Sequence, residues 1–453
     1  MGLGAPDLRG TSGAPGLGLA YAPDLSRAGE RSQRASAKSA EMLKLALREP
    51  GTRSRWGQSP DDPMSNEYLD RGVSPTKEDV HRAIAKHSAG EVPGAFCKVI
   101  ADPAGDPEMV GVMHADGAGT KSSVAYLLYA ETGDASAFAG IAQDSLVMNT
   151  DDLLCVGATS GFLVSNTIGR NAHRVKGDVI SALIDGYESC AAMLREHGIE
   201  ITLTGGETAD VGDLVRTVIA DSTVFARVPR AAVGDFSRVA PGDLIVALSS
   251  TGKASYEGRE NSGIGSNGLT LARHALLAHS YADRFPESYS ETIPANKVYC
   301  GRFQLKDPLP GSSHDVAWGL LSPTRTYLPI VRAILASSFA SRVSGILHCS
   351  GGGQTKCRGF GRGLHYVKDA LFPIPALFQT IQDSGIEPKQ MYQVFNMGHR
   401  LELYVRPEAA DAVIEAAARY GVDAKIVGRI EANSGSESNR VTIAANGQSF
   451  EYL

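Results

Sequence analysis

Apolar and polar positions along the chain predict short strands that alternate with longer helices. Residues 109–113, 200–204 and 244–248 form apolar runs bounded by turn residues, which is typical of strands. Residues 137–156 and 178–197 carry apolar side chains at helical spacing. This pattern predicts an α/β (α+β) protein in which helices pack on mixed sheets.

The first part of the chain has a different composition from the rest. Gly, Pro and Ala are frequent near its start, and Arg and Ser are frequent over residues 26–59. A segment this poor in apolar side chains cannot offset the entropy lost on ordering. We therefore expect a disordered extension over 1–63, a first domain over 64–235 and a second domain over 236–453, which opens just before an apolar strand.

Composition and charge narrow the class of protein. The chain has 453 residues and a net charge of −6 without long blocks of one sign, which indicates no nucleic-acid surface. No apolar run approaches the length of a membrane span. Six widely spaced cysteines form no CxxC pair. We expect a cytoplasmic protein with reduced thiols that binds neither nucleic acid nor membranes.

Residues 114–121, His-Ala-Asp-Gly-Ala-Gly-Thr-Lys, lie where a predicted strand gives way to a predicted helix. Gly117 and Gly119 would let the backbone approach an anion closely, and amides at the start of the helix would face it. Lys121 could neutralise that anion, and Asp116 suits Mg²⁺. The motif indicates a phosphate and metal site, although a tight turn with a solvated Asp and Lys has the same pattern.

Further acidic residues come from two other places. Asp144 and Asp152 lie eight residues apart on a predicted helix, so both project from one face, and Glu207 and Asp210 follow a glycine pair after a strand. Two carboxylates ~4 Å apart at a protein surface would repel by about 4 kcal/mol, so such a cluster implies bound cations. Oxygen ligands beside phosphates fit Mg²⁺. The alternatives are a solvated helix face and a strand-ending turn.

Residues 263–268 match GxGxxG before a helix that starts at Leu269, but no strand directly precedes them. A dinucleotide site is therefore disfavoured, and a Ser/Asn helix cap at a phosphate-binding turn is favoured. The chain has no Walker A motif, because Lys253, its one lysine preceded by glycine, lacks the upstream glycine. A nucleotide would have to be held by another device.

Six short motifs follow one another in a characteristic order over residues 68–430. They are Asp116-Gly117-x-Gly119-Thr120-Lys121, the pair Asp144 and Asp152, Gly205-Gly206-Glu207-Thr208, Ala240-Pro241-Gly242-Asp243, Ser266-Asn267-Gly268 and Gly351-Gly352-Gly353. In this order and spacing the chain resembles the aminoimidazole ribonucleotide (AIR) synthetase family, also called phosphoribosylformylglycinamidine cyclo-ligases.

The resemblance implies a fold and a reaction. The fold has two domains: an N-terminal mixed sheet that contributes to a barrel shared by a homodimer, and a C-terminal layered α/β domain. The reaction is the ATP- and Mg²⁺-dependent cyclisation of formylglycinamidine ribonucleotide, a small ribonucleotide, to 5-aminoimidazole ribonucleotide in purine biosynthesis. The formyl oxygen is phosphorylated, an internal nitrogen attacks, and phosphate leaves.

The resemblance also implies site residues. It gives catalytic roles to Asp116, Lys121 and Asp152, and it gives metal binding to Asp116, Asp152 and Glu207. The ATP-binding residues that it implies are Gly117, Gly119, Thr120, Lys121, Asp144, Gly205, Gly206, Glu207 and Thr208. The substrate-binding residues that it implies are Ser266, Asn267 and Gly268.

Two departures from the family pattern concern the site. The family has a histidine directly before Ser-Asn-Gly, where this chain has Gly265. The family's glycine-rich N-terminal loop over ATP, with its lysine, is reduced here to residues 90–96. Lys86 and Lys98 are the candidates for that lysine in the sequence.

Other members of the superfamily give alternative functions. A selenophosphate synthetase needs a reactive cysteine ahead of a lysine, and Cys97 directly before Lys98 inside an apparent strand fits that poorly. A small-molecule kinase remains an alternative. A catalytically silent nucleotide-binding relative would have lost its metal carboxylates, which this chain keeps.

Overall fold

The structure is a computed structural model that describes residues 70–73, 82–84 and 86–453. The extension predicted over 1–63 lies outside these residues. Within the described ranges, none of the helices has the length and apolar character needed to cross a bilayer.

The first sheet has five strands, β1 (Val99–Ala101), β2 (Met109–Gly117), β3 (Phe162–Arg170), β4 (Ile201–Asp210) and β5 (Val218–Pro229). Their order is β1-β2-β5-β3-β4. The pair β3–β4 is parallel and the other neighbours are antiparallel. The predicted mixed sheet is thereby confirmed. Among the described residues β1 and β4 are its outermost strands, so one chain does not close a barrel.

Three helices cover one face of this sheet: α1 (Lys121–Thr132), α2 (Ala137–Leu154) and α3 (Gly177–Glu196). Helix α2 packs on β2 and β5, and α3 packs beside α2 and β4. The opposite face lacks such a cover among the described residues, since Met113 is 57% exposed and Leu163 46% exposed there.

The second sheet has seven strands in the order β12-β11-β8-β10-β6-β9-β7. The pair β8–β11 is parallel and the other neighbours are antiparallel. Every residue of β7, β8 and β9 is buried, including the charged Lys368, Arg400 and Glu402. The strands are β6 (Leu244–Ser249), β7 (Val343–His348), β8 (Leu364–Lys368), β9 (His399–Val405), β10 (Ala424–Ala432), β11 (Arg440–Ala445) and β12 (Gln448–Tyr452).

Seven helices accompany the second sheet in the described part of the chain. They are α4 (Leu269–Leu276), α5 (Ser280–Arg284), α6 (Val316–Leu321), α7 (Leu328–Leu335), α8 (Ala376–Asp383), α9 (Pro388–Val394) and α10 (Ala410–Ala418). Helix α10 packs on β6 and β10, and α7 packs against both α10 and α2. Helix α2 also contacts β7, so it lies between the two sheets. The two-sheet, layered α/β architecture expected from the sequence is confirmed.

Two features differ from the sequence prediction. Strand β4 does not end at Thr204 but continues through the glycine pair to Asp210, because a bulge at residues 204–205 of β4 lets Gly206 pair with Asn166 of β3. An ideal Cβ at position 206 would lie 1.8 Å from the Asn166 carbonyl oxygen, so glycine serves strand pairing there rather than a turn. Strands β3, β8, β11 and β12 were not predicted.

Candidate functional site

Helix α2 carries buried carboxylates toward the second half of the chain. Asp144 and Asp151 lie seven residues apart, about two turns, and both are fully buried. The Thr324 amide and hydroxyl donate to Asp144 Oδ1 at 2.7 and 2.5 Å. The Thr326 hydroxyl and the Tyr327 amide donate to Asp151 at 2.8 and 3.1 Å. The alternative of a solvated helix face is therefore excluded.

Lys121 lies in the same interface rather than in an open phosphate site. Its side chain is fully buried, and Nζ donates to Asp144 Oδ1 at 2.8 Å and to the Ser322 carbonyl at 2.5 Å. Burial lowers the pKa of Lys121, and the carboxylate of Asp144 opposes that shift. In this structure Lys121 and Asp144 join α1 and α2 to the segment before α7.

Three side chains from β2 and α2 form a group suited to a metal ion. His114, Asp116 and Asp152 place one ligand atom each within 4.8 Å of one another. Asn149 orients the imidazole: its Nδ2 donates to the carbonyls of Asp116, Ser145 and Ser222, which leaves Oδ1 to accept from His114 Nδ1 at 3.0 Å.

This arrangement leaves two acceptors facing each other. With its proton on Nδ1, a neutral His114 turns the lone pair of Nε2 toward Asp152 Oδ2, 3.4 Å away. Two acceptors at that distance need a proton or a cation between them. Two carboxylates suit Mg²⁺, and the imidazole also suits transition metals, so the residues present fit a divalent cation.

His348 orients Asp152 from the second half of the chain. The imidazole is fully buried, with Nδ1 2.6 Å from Asp152 Oδ1, and Arg400 Nε donates to its Nε2 at 3.0 Å. The proton of His348 therefore lies on Nδ1 and is donated to Asp152. Burial lowers the pKa of His348 to about 4, although Asp152 opposes the shift, which keeps the ring neutral.

The carboxylates of this group differ in their electrostatics. Burial opposes ionisation of Asp152, but the charge of Lys356 and the hydrogen bond from His348 outweigh it and lower its pKa to about 2. Burial raises the pKa of Asp116, and the negative charge of Asp152 adds to that rise. Asp152 is therefore ionised, and Asp116 is held close to it. This arrangement favours a bound cation.

Gly117 is required by a carboxylate that the sequence reasoning missed. Asp221 on β5 pairs with Gly117 on β2, and an ideal Cβ at position 117 would lie 1.7 Å from Asp221 Oδ1. Burial and the nearby charge of Asp116 raise the pKa of Asp221. The glycine thus leaves room for a third acidic group beside the metal site.

The glycine pair Gly205–Gly206 and the acidic Glu207 lie away from the metal group. The register aligns Gly117, Asp221, Thr167 and Glu207 on four successive strands, so Glu207 lies about 14 Å from Gly117 across the sheet. Gly205, Gly206, Glu207 and Thr208 are all exposed on the edge strand β4. One chain does not bring Glu207 to the group formed by His114, Asp116 and Asp152.

The predicted substrate turn lies close to the phosphate motif. Gly268 has a left-handed φ of 80° and precedes α4, and a side chain there would collide with the Phe395 ring. The Ser266 hydroxyl is 3.2 Å from that of Thr324, and the Thr120 hydroxyl is 2.8 Å from that of Thr270. The structure therefore brings Thr120 together with the turn of Ser266, Asn267 and Gly268.

Arg400 lies beside Gly265, the position directly before Ser266-Asn267-Gly268. Gly265 has φ of +69°, and an ideal Cβ there would lie 3.3 Å from Arg400 Nη1. The guanidinium of Arg400 thus fills space beside a position where the family carries a side chain. It lies 3.6 Å from Asp151 and stacks over the Tyr327 ring at 5.3 Å. Because Gly265 has no side chain, it leaves room for the guanidinium of Arg400.

Several residues of the site were missed because they are distant in sequence and share no spacing pattern. His114 and Asp151 stand next to predicted residues, and His348 and Arg400 stand beside glycine motifs, which are the signals that could have found them. The missed residues are His114, Asp151, Asp221, His348, Lys356 and Arg400.

A second group, Cys349, His399 and Glu402, also has ligand atoms within 4.8 Å of one another. All three side chains are buried, and Glu402 already accepts from Lys368 Nζ at 2.5 Å and contacts His399 Nε2 at 3.0 Å. Burial lowers the pKa of His399 and raises that of Cys349. This group is an internal ion-pair cluster of the second sheet.

A cleft of about 760 Å³ lies apart from the metal group. It is bounded by Gly140 and Gln143 of α2, by Cys190 of α3 and by the loop around Arg259. Gln143 lies nine residues before Asp152, about 14 Å along the helix. The cleft therefore lies toward the opposite end of α2 from Asp152.

Comparisons with known proteins identify the family of the chain. The chain matches the profile described as "AIR synthase related protein, N-terminal domain" over residues 97–228 and the corresponding C-terminal domain over residues 240–439. A phosphoribosylformylglycinamidine cyclo-ligase of Methanococcus maripaludis is 29% identical over 389 residues, 83% of this chain and 96% of the relative. The chloroplastic/mitochondrial cyclo-ligase of Vigna unguiculata is 30% identical over 356 residues, 77% of each chain.

Solved structures with similar chain traces include T. maritima PurL complexed with FGAR, at 14% identity and a TM-score of 0.47, which covers 92% of this chain. This chain spans 55% of that protein. The HypE–HypF complex gives 13% identity and a TM-score of 0.49, with 82% of this chain and 97% of the other covered. By its matches to both domain profiles and to the curated cyclo-ligases, the chain belongs to the AIR synthase family and is an enzyme of the ligase class.

Proposed function

We propose that the protein closes the imidazole ring of 5-aminoimidazole ribonucleotide from formylglycinamidine ribonucleotide, with ATP and Mg²⁺. The observation that carries this proposal is the group of His114, Asp116 and Asp152, which Asn149 and His348 orient beside the phosphate motif. Its relatives named as cyclo-ligases support the same reaction.

We propose that Asp116 and Asp152 hold Mg²⁺, and that His114 contributes to the same site. When bound, the metal would supply charge neutralisation at the phosphate oxygens. His348 holds Asp152 ionised and directed at the metal site through its Nδ1 proton. Arg400 fixes that proton by donating to His348 Nε2.

We propose that Gly117, Gly119 and Thr120 line the phosphates, because the backbone at two glycines leaves room for an anion at the start of α1. Lys121 and Asp144 then act by holding α1 and α2 in place rather than by touching the nucleotide. Residues 266–268 approach the substrate from the second half. Gly205, Gly206, Glu207 and Thr208 would meet a nucleotide only where a second chain approaches β4.

We propose a homodimer formed through the uncovered face of the first sheet. Met113, Leu163 and Ile219 are exposed on it, and β1 and β4 are open edges. Replacing Met113 and Leu163 by glutamate should yield monomers in sedimentation velocity, whereas replacing the exposed Leu214, outside the strands, should not. A monomeric wild-type protein would remove this proposal.

We also propose the division into an extension over 1–63, an N-terminal ATP- and metal-binding domain over 64–235 and a substrate-binding domain over 236–453. A selenophosphate synthetase-like function finds no support at Cys97. Its thiol is buried and donates to the Asp152 carbonyl, and burial raises its pKa well above the ordinary value, which makes it a poor nucleophile.

The test is turnover by the purified full chain. Phosphate release from ATP and Mg²⁺ is measured with and without formylglycinamidine ribonucleotide, and the aminoimidazole product is detected by its colour reaction. We expect phosphate release that depends on the ribonucleotide, with one product formed per phosphate. ATP binding without any stimulation by the ribonucleotide would reject the proposed substrate.

A further inference from the structure

A lysine from the second half of the chain acts on the metal group. Lys356 lies in the short 3-10 helix Gly353–Gly359, directly after the glycine-rich residues 350–353. Its charge acts on both Asp116 and Asp152, and it is the strongest of the groups that lower the pKa of Asp152. Among the residues that the structure describes, it forms no ion pair with either carboxylate. Its ammonium lies over the ring of Phe96, whose neighbour Cys97 donates to the Asp152 carbonyl, which places Lys356 beside the metal group.

The position of this ammonium is defined by two contacts. Nζ donates to the Ser350 hydroxyl at 2.6 Å, and it lies 4.2 Å from the centre of the Phe96 ring. Phe96 in turn stacks on Phe360 with ring centres 5.2 Å apart. An ammonium has three N–H donors and Ser350 accepts one, so donors remain for a further acceptor.

Phe96 links this lysine to the reduced N-terminal loop. It is the last of residues 90–96, the segment that stands where the resemblance places a loop and lysine over ATP. The two lysines near that segment in sequence, Lys86 and Lys98, are both exposed. Cys97 turns inward to the Asp152 carbonyl, and Lys98, the next residue, faces outward. The segment thus contributes an aromatic ring to the site, and the cation comes from Lys356.

We propose that Lys356 is the lysine that binds the phosphate groups of the nucleotide at this site, an inference that rests on the proposed use of ATP. Phosphates held by Asp116 and Asp152 through a metal would lie next to its ammonium. Transfer of a phosphoryl group requires positioning and neutralisation of spreading negative charge, and a lysine supplies both as a mobile point charge.

The glycine-rich turn leaves Lys356 the room to do this. Gly352 and Gly353 have φ of 93° and 50°, in the left-handed region. A Cβ on Gly352 would lie 3.4 Å from the Cβ of Lys356, and one on Gly353 would lie 2.5 Å from the Phe395 carbonyl oxygen. A side chain at Gly353 would collide with the backbone beneath the turn, and one at Gly352 would be strained by its left-handed φ. Lys356 is itself partly exposed, so its ammonium can reach a ligand.

The test compares nucleotide binding in matched lysine variants of the full chain. Calorimetry with Mg²⁺ measures the affinity for a non-hydrolysable ATP analogue and for adenosine, which lacks phosphates. K356A and K356Q should bind the analogue about 10- to 100-fold more weakly, the usual effect of a lost charge-assisted bond, with adenosine affinity unchanged. K356R should retain most of the affinity.

Lys389 provides the control. It is an exposed lysine of α9 whose Nζ lies 5.5 Å from the centre of the Tyr452 ring, so K389A also removes a lysine–aromatic contact from the second half. K389A should bind the analogue as the wild type does. An equal loss in K389A and K356A would overturn the proposal.

Binding of Mn²⁺ alone, followed by its electron paramagnetic resonance signal, separates a phosphate ligand from a structural residue. Removing a positive charge beside Asp116 and Asp152 should leave Mn²⁺ affinity unchanged or raise it. Weaker Mn²⁺ binding in K356A would indicate a disturbed site and would contradict a specific role in phosphate binding.

Two results would overturn the proposal directly. In the first, K356A binds the ATP analogue as tightly as the wild type does. In the second, K98A and not K356A loses affinity for the analogue. Neither measurement uses the ribonucleotide. Loss of analogue affinity in K356A, together with a wild-type protein that forms no aminoimidazole product, would therefore support Lys356 as the phosphate ligand while rejecting the proposed reaction.

Discussion

At the scale of single residues, most of the site depends on hydrogen bonds in which one side chain sets the position of a proton on the next. Arg400 donates to His348, His348 donates to Asp152, and Asn149 orients His114. Asp116 and Asp152 could be predicted because they stand in compact motifs. His348 and Arg400 could not, since their roles arise from strands β7 and β9 lying beside α2, which no local pattern encodes.

Replacing Asp152 by asparagine tests the centre of this chain of hydrogen bonds. D152N should lower turnover by at least about 100-fold, because it removes the firmly ionised ligand while preserving size. The same change at Asp185, an exposed aspartate of α3, serves as control and should leave turnover unchanged. Circular dichroism and a melting curve establish that D152N is folded, and a folded D152N with full turnover would remove Asp152 from the metal site.

At the scale of elements, the long helices and the apolar strands were predictable within a few residues. The prediction for α2, over 137–156, differs from the observed Ala137–Leu154 by two residues at one end. The glycine pair in β4 was assigned to a turn because glycine is common in turns, whereas here it allows close strand pairing. The partner strand, which the local sequence does not reveal, decides between these two uses.

Replacing Gly206 by alanine tests whether this glycine is needed for close pairing of β3 and β4. The new methyl group would lie 1.8 Å from the Asn166 carbonyl oxygen, so β3 and β4 must separate locally. We expect G206A to lower the free energy of unfolding by about 2 kcal/mol or more, measured by urea denaturation. Gly177 at the start of α3 has no atom within 4 Å of an added Cβ, so G177A should be neutral or stabilising. Equal stability of the two variants would show that close pairing of β3 and β4 does not need glycine at position 206.

At the scale of the whole molecule, stability in acid should depend on the ion-pair cluster inside the second sheet. Burial opposes ionisation of Glu402, but Lys368 and His399 outweigh it and lower its pKa from the usual 4.5 to about 2. The unfolded chain therefore binds this proton first as the pH falls. The contribution of Glu402 is complete above pH 4.5 and is lost as the pH falls toward 2.

Urea unfolding between pH 5.5 and pH 3 measures this loss. The free energy of unfolding should fall across the window, with Glu402 contributing on the order of 3 kcal/mol in total if its pKa moves by the full shift. A double variant, E402Q with K368M, removes both charges together and should show a flatter dependence on pH. An identical slope in the double variant would assign the acid sensitivity to other carboxylates.

The buried link between the two halves has a consequence for how ligands arrive. Lys121, Asp144 and the segment before α7 share hydrogen bonds in a buried interface, and pulling the sheets apart would remove the Ser322 carbonyl from Lys121 and the Thr324 donors from Asp144. Wide hinge opening at this interface is therefore costly. If the proposed nucleotide and substrate bind here, the two sheets should keep their separation, so structures with and without ligands should superpose as one rigid body, with changes confined to exposed loops.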